Sequence, residues 1–288
     1  MRHALAGSDD LPGVPVGMDG LQRLRLAVAA TRFGGRAAVA TQVRRHGVQA
    51  VEKLLGSLPQ GDRAYLERAA YELHENGVGA VLLGEPAYPT RLIPLRAAPP
   101  ALFVRGRLAL LSAPGIGVCG SRRTTAPGLR AARACAEVAA DLGFTVTSGY
   151  AQGVDMESHA AALERGGRTI IALAEGITRF RVKPGGLGDV WDADRATVIS
   201  QFAPDAPWHA GNAMARNAVI YGMGAGLVVV EAGEKGAPST PGCGHSPPGA
   251  RCSRWSSGPR RRRATGCSSP GAQPRSAAVP SSNGTSAS

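Results

Sequence analysis

Residues 144–176 read FTVTSGYAQGVDMESHAAALERGGRTIIALAEG, and this stretch decides the fold class. It opens on an apolar run, FTVTSG (144–149), and closes on another, TIIALAEG (169–176), each of strand length and each ending in glycine. Between them, Asp155 to Arg165 reads as a helix. Continuous apolar strands separated by helices indicate a mostly parallel sheet covered on both faces. Working outward, the same alternation predicts strands at AVLL (80–83), ALFV (101–104), GIGVCG (115–120), TVIS (197–200) and GLVVVEAG (226–233), with a further helix over Pro127 to Leu142. Right-handed crossovers then bring the carboxyl ends of the parallel strands, and the loops after them, to one rim.

Upstream of this region the periodicity is helical. From Leu21 to Asn76 apolar residues recur every three or four positions, through Leu24, Val28, Val43, Leu54, Leu66 and Leu73. Breaks are expected at Phe33-Gly34-Gly35, at His46-Gly47 and at Leu58 to Gly61, and Asn76-Gly77 is suited to a left-handed helix C-cap. The expected organisation is a loose leader (1–20), a small helical domain (21–78), a Rossmann-like α/β domain (79–236) and a tail (237–288).

The formal charge of +12 is uneven: the tail holds seven Arg and no Asp, Glu or Lys, which leaves +5 for residues 1–236. An excess of that size suits a phosphate-bearing partner and is shared by many ordinary proteins. Five cysteines without a CxxC pair give no zinc site or disulfide framework. No apolar run reaches the roughly 18 residues of a membrane span. The amino terminus lacks a signal-peptide core, so a cytoplasmic location is expected.

Three strand-end loops carry the candidate chemistry. In the first, Gly120 permits close backbone approach to an anion while Ser121 and Arg122 can donate to phosphate oxygens; the same residues read as a tight turn with exposed arginines. The second runs from Ser148 and Gly149 to Gly153 and Asp155, and its small residues leave room for a phosphate or sugar. There Asp155 is suited to cap the following helix, and His159, four residues on, to bond to it. The third is Arg216-Asn217 ahead of an apolar helix, a pair able to hold a phosphate and a base edge or simply to cap that helix. No catalytic constellation, metal site or cofactor motif stands out, so a binding protein is expected rather than an enzyme.

The order and spacing of these motifs resemble the DprA/Smf family. The matching segments are GSR (120–122), SGYAQGVDMESH (148–159), GRTI (167–170), RN (216–217) and VVEA (229–232), preceded by AYPTRLIPLRAAPPALFVRG (87–106). The resemblance implies binding of single-stranded DNA, protection of incoming strands during natural transformation, handover to the RecA recombinase, and a homodimer. It also implies that Gly120, Ser121, Arg122, Ser148, Gly149, Gly153, Asp155, Arg216 and Asn217 line the DNA pocket.

The chain departs from the family where a Tyr-Pro pair is usual, carrying Ile177 to Phe180 and then the segment KPGGLGDVW (183–191). Its PGG resembles a related group of nucleoside-monophosphate phosphoribohydrolases, but Asp189 and Asp192 stand where that group needs Thr and Glu. After Gly236 the family's helix and GR-x-V strand are replaced by a tail without Leu, Ile, Met, Phe or Tyr, for which disorder is expected. With 30 Arg to 3 Lys the gene is expected to be GC-rich. One added G after the codon of Gly236, with GC-rich codon choices, turns the following residues into GGTKHAGLRALAAGRAVLALEF, which resembles the missing segment. A natural or sequencing frameshift near Gly236 is therefore a further expectation, which the nucleotide sequence tests, and a truncated remnant without function is an alternative reading.

Overall fold

The computed structural model describes residues 19–33 and 35–231 and the backbone of 251–255. Four helices come first: α1 (Gly20–Arg32), α2 (Arg36–His46), α3 (Gln49–Ser57) and α4 (Gln60–Glu75). Asp19 caps α1, its carboxylate accepting from Gln22 N at 2.5 Å. Gly77, at φ 65°, ends the α4 region in the left-handed conformation that a side chain would oppose. Leu24, Val28, Val43, Leu66 and Leu73 are buried as expected, whereas Leu54 is only half-buried at the edge of this packing.

The α/β part follows as β1 (Val78–Leu82), β2 (Ala101–Arg105), β3 (Gly115–Gly120), α5 (Ala126–Asp141), β4 (Thr145–Ser148), α6 (Val154–Glu164), β5 (Arg168–Ala172), β6 (Ala196–Ser200), α7 (Ala210–Met223) and β7 (Gly226–Val230). All seven strands read from the sequence are present. Together with β8 (Arg251–Trp255) they form one sheet in the order β1-β2-β6-β5-β4-β3-β7-β8. The pairs from β6 through β8 are parallel, and only β1–β2 and β2–β6 are antiparallel.

The five residues of β8 lie in the tail, where the composition predicts neither helix nor strand. The correction has a simple cause: an edge strand needs only backbone N–H and C=O groups in register, and Gly226–Val230 offers that ladder to 251–255. The frame-restored reading places its AVLAL run at the same five positions. The rest of the tail and residues 1–18 of the leader, for which disorder and a loose chain are expected, lie outside the described residues; the leader's last two residues are ordered as the cap and first residue of α1.

Burial divides the core by sheet face. One cluster joins Val118 and Val146 to Ala132, Ala136 and Ala139 of α5 and Ala161 and Ala162 of α6, alanines that let both helices sit close to the strands. A larger cluster on the other face runs from Val219, Ile220 and Met223 of α7 through β5, β6 and β2 into α1 and α4. A buried ion pair, Arg23–Glu85 at 2.8 Å, ties α1 to the turn after β1, and the Glu85 carboxylate also accepts from Leu82 N at 2.7 Å. Strands β3, β4, β5 and β7 all end at one rim, with α6 reaching it from one face and α7 from the other.

Candidate nucleic-acid interface

The rim begins at Gly120, the last residue of β3. A side chain there would collide with Val230 O and Val154, so the close meeting of β3, β7 and α6 requires glycine. Ser121 N donates to Val230 O (3.2 Å) and its hydroxyl accepts from Arg123 N (3.1 Å), which turns the chain and leaves Arg122 exposed. The Arg122 guanidinium lies 5.3 Å from the ring centre of the exposed Trp208.

From below, the loop is held by Glu231, which the sequence reading noted only within a motif. Its carboxylate accepts from Thr124 Oγ1 (2.6 Å), Thr125 N (2.8 Å) and the Thr125 hydroxyl. Its own backbone sits at φ 50°, unusual for a residue with a side chain. Thr125 in turn caps α5 by accepting from Gly128 N. Glu231→Ala is therefore expected to cost about 1–2 kcal/mol in urea unfolding at neutral pH, because two hydroxyls and one N–H lose their acceptor. An unchanged midpoint would show the clamp to be idle.

The second loop follows β4. Ser148 is buried and donates to Val118 O at 2.6 Å, a bond within the sheet rather than toward a ligand. Gly149 is where the two faces of the domain meet: a side chain there would strike both the Arg216 guanidinium, arriving on α7, and the Asp155 carboxylate, arriving on α6. Gly153 stands at φ 82°, and a side chain would press on the backbone of Ser121 and Arg122.

Two sequence expectations are corrected at this loop. The N-cap of α6 is Gly153, without a side-chain cap, so Asp155 does not cap the helix; it accepts instead from Ala151 N at 3.3 Å. Nor does His159 bond to Asp155. Its Nε2 meets Gly149 O and its Nδ1 meets Thr169 Oγ1, both at 2.6 Å. A carbonyl can only accept, so the neutral ring carries its proton on Nε2, and Thr169 divides one hydroxyl proton between Nδ1 and Val146 O. Full burial holds the imidazole pKa down to about 4, with the Gly149 bond raising it and Arg216 adding to the depression.

Arg216 and Asn217 lie in the middle of α7 rather than in a loop ahead of it, because the helix starts earlier, at Ala210, capped by the His209 ring. Arg216 is 7% exposed; its Nη1 donates to Ala172 O at 3.0 Å and lies 3.8 Å from Asp155 Oδ2. Its Nε is buried without a partner among the described residues. Burial pushes the Asp155 pKa up, opposed by Arg216, and pushes the Arg216 pKa down, opposed by Asp155. In sequence Arg216 has few acidic neighbours, and the fold supplies one from a different helix.

A concavity of about 290 Å³ opens over this pair, lined by Arg122, Arg216, Lys183, Tyr150, Gln152 and Trp208 among others. Three cations face it with one carboxylate, Glu175, on its wall. Of the nine candidates only Arg122 and Arg216 line this cavity; Gly153 lines a second cavity beside it together with Arg122, and Gly120, Ser121, Ser148, Gly149, Asp155 and the half-buried Asn217 line neither. Trp208, Lys183, Tyr150 and Gln152 were missed as site residues. The last two lie inside the stretch quoted first, while Lys183 and Trp208 carry no local signal and arrive through the fold. Among the described residues no group of three or more His, Cys, Asp or Glu could hold a metal, and no helix is long and apolar enough to cross a membrane.

A family model described as DNA recombination-mediator protein A matches residues 79–241. Protein Smf of Escherichia coli is 36% identical over 146 residues, which are 50% of this chain and 39% of that protein. DNA processing protein DprA of Bacillus subtilis is 30% identical over 172 residues, 59% of this chain and 58% of its own. The chain spans between 39% and 58% of the length of the curated relatives it matches. The X-ray structure of DNA processing protein A (DprA) from Streptococcus pneumoniae superposes with a TM-score of 0.57 at 23% identity, covering 77% of this chain and 81% of that one. That likeness is one of fold.

Proposed function

This chain belongs to the DNA recombination-mediator protein A family, and we propose that it binds single-stranded DNA through the rim cavity over Gly149. One observation carries the reading: Arg122 is an exposed guanidinium in no ion pair among the described residues, its field reaching the buried Asp155 only at longer range, and it lines a cavity together with Arg216 and Lys183. An exposed cation beside an exposed Trp suits a flexible phosphate backbone with accessible bases. The nine candidate residues take different parts. Arg122 and Arg216 line the cavity, and Ser121 sets the turn that exposes Arg122. Gly120, Gly149 and Gly153 permit the close packing that brings the loops together, and Ser148, Asp155 and Asn217 are not among the lining residues.

The relatives' role in DNA processing supports the finer reading, in which bound strands are protected during natural transformation and passed to RecA in the cytoplasm by a homodimeric protein. We read the chain as a binding protein and not as an enzyme. The phosphoribohydrolase alternative has little support, since Asp189 and Asp192 line neither of the cavities at this rim and Asp192 is held by Arg195 at 2.6 Å.

The test is Arg122→Ala. Affinity for oligo-dT and for mixed-sequence strands is expected to fall equally, with the salt dependence flattened by about 0.7 per lost phosphate contact. The melting temperature is expected to stay put, because Arg122 makes no ion pair within the described residues. An unaltered salt slope, or release of free base from a nucleoside monophosphate, overturns the proposal.

A further inference from the structure

At the end of the sheet opposite the rim, where β4, β5 and β6 begin, lies a cavity of about 440 Å³ that shares no lining residue with those at the rim. Arg107, Arg168 and Arg195 line it together with Leu110, Phe144 and Asp194. The connection from β2 to β3 closes one side, folded as a 3-10 turn over Leu108–Ser112. The carboxyl ends of α5 and α6 close the other, at Gly143 and Gly166.

Close packing fixes these walls. A side chain at Gly106 (φ 111°) would collide with Ala196 O, so the residue before Arg107 is held against the start of β6. A side chain at Gly167 would strike Ala140 and Ala162 O, and α5, α6 and the start of β5 meet there. Arg168 donates to Gly143 O at 2.8 Å and Arg195 to Leu163 O at 2.9 Å, each answering the partial negative charge of a helix carboxyl end. Arg195 is also paired with Asp192 at 2.6 Å. Arg107 is exposed, and neither it nor Arg168 is in an ion pair among the described residues.

We propose that this cavity docks an acidic peptide segment of a protein partner, one that carries an apolar side chain beside its carboxylate. The inference is independent of the single-strand reading above. Three features select this occupant. The Arg107 guanidinium can hold a carboxylate through two parallel N–H bonds. Leu110, buried, and Phe144, half-buried, offer an apolar floor to the neighbouring side chain, and Leu142, 68% exposed, stands one residue before the lining Gly143. The exposed Asp194 carboxylate can accept from the peptide's own N–H groups. A nucleic-acid strand fits less well. Helices α5 and α6 start at the rim and end here, so their dipoles favour phosphate at the rim and oppose it at this pole.

Fluorescence anisotropy of a labelled, acetylated pentapeptide alternating Asp and Leu, titrated with the full chain, tests this. The peptide is expected to bind, and its counterpart with Asn for Asp to bind about tenfold more weakly, the fold-change of one lost charge-assisted hydrogen bond. A counterpart with Ser for Leu is expected to bind severalfold more weakly. Saturating oligo-dT is expected to leave peptide binding as it was, because the cavities lie at opposite ends of the strands. Arg107→Glu is expected to lower peptide affinity by more than about tenfold, while oligo-dT affinity and melting temperature stay as in the parent. Ala109→Trp, which fills the cavity from an exposed position, is expected to do the same and serves if the Glu variant does not fold. Peptide binding that survives both variants, displacement of the peptide by oligo-dT, or a parent chain that does not bind the peptide overturns the proposal.

Discussion

Arg216→Ala is expected to destabilise the fold by about 3 kcal/mol, the lower end of what breaking a buried ion pair costs. The variant leaves the Asp155 carboxylate in a dry site with one N–H donor from Ala151 and takes a donor from Ala172 O. The lower end applies because the guanidinium and carboxylate stand 3.8 Å apart rather than in direct contact. Asp155 then escapes by protonation. Its native pKa is already raised by burial, and losing the opposing Arg216 raises it further. A carboxyl whose native pKa exceeds its unfolded one gains stability as pH falls through the native value. The gap between variant and parent therefore narrows on acidification and is widest at neutral pH. The double variant Asp155→Asn/Arg216→Ala, which buries no charge at the pair and keeps an acceptor for Ala151 N, is expected to recover most of the loss. Urea unfolding at two pH values measures all three proteins; a gap that does not change with pH removes Asp155 from the explanation.

The second large effect is the titration of His159. Neutral at pH 7, it is held at a pKa of about 4 in the native protein by full burial. The unfolded chain takes up the proton near pH 6.5, so stability is complete above that value and drains away as pH falls toward 4. The total is about 3 kcal/mol at 1.36 kcal/mol per pKa unit. Asp155 pulls in the opposite direction over acid pH, so the net slope of the parent understates the His contribution. His159→Gln keeps an N–H for Gly149 O and cannot titrate. The difference between parent and variant isolates the imidazole, because Asp155 is common to both. Equal acid sensitivity of the two proteins would mean that His159 is not what limits stability there.

These two effects share a cause that also separates what was legible in the chain from what was not. Every strand was located from its apolar run, since such runs report local burial, but β5 and β7 end three to four residues before the runs do and α7 starts eight residues earlier than its apolar stretch. Gly149 and Gly153 stood out as small residues leaving room for a phosphate or sugar, whereas the fold fills the space beside them with Arg216, Asp155 and the backbone of Ser121 and Arg122. What approaches them was not legible. The partner of Arg216 lies 61 residues away on a helix of the opposite face, at a separation set by the sheet order. The partners of His159 come from the end of β4 and from β5. Trp208 and Lys183 enter the rim in the same way.

The sequence by itself determined the fold class, the seven strands, the helical amino-terminal part and the two loops after β3 and β4, because each of these follows from local periodicity and backbone permissiveness; the third expected loop, Arg216-Asn217, is helix. Only the tertiary structure decided that Asp155 and His159 are buried structural groups, that Arg122 is the exposed cation of the pair and Arg216 the buried one, and that a stretch of tail can serve as an edge strand. Burial, pairing and desolvation depend on which elements lie next to one another in space. Side-chain spacing along one chain does not carry that information.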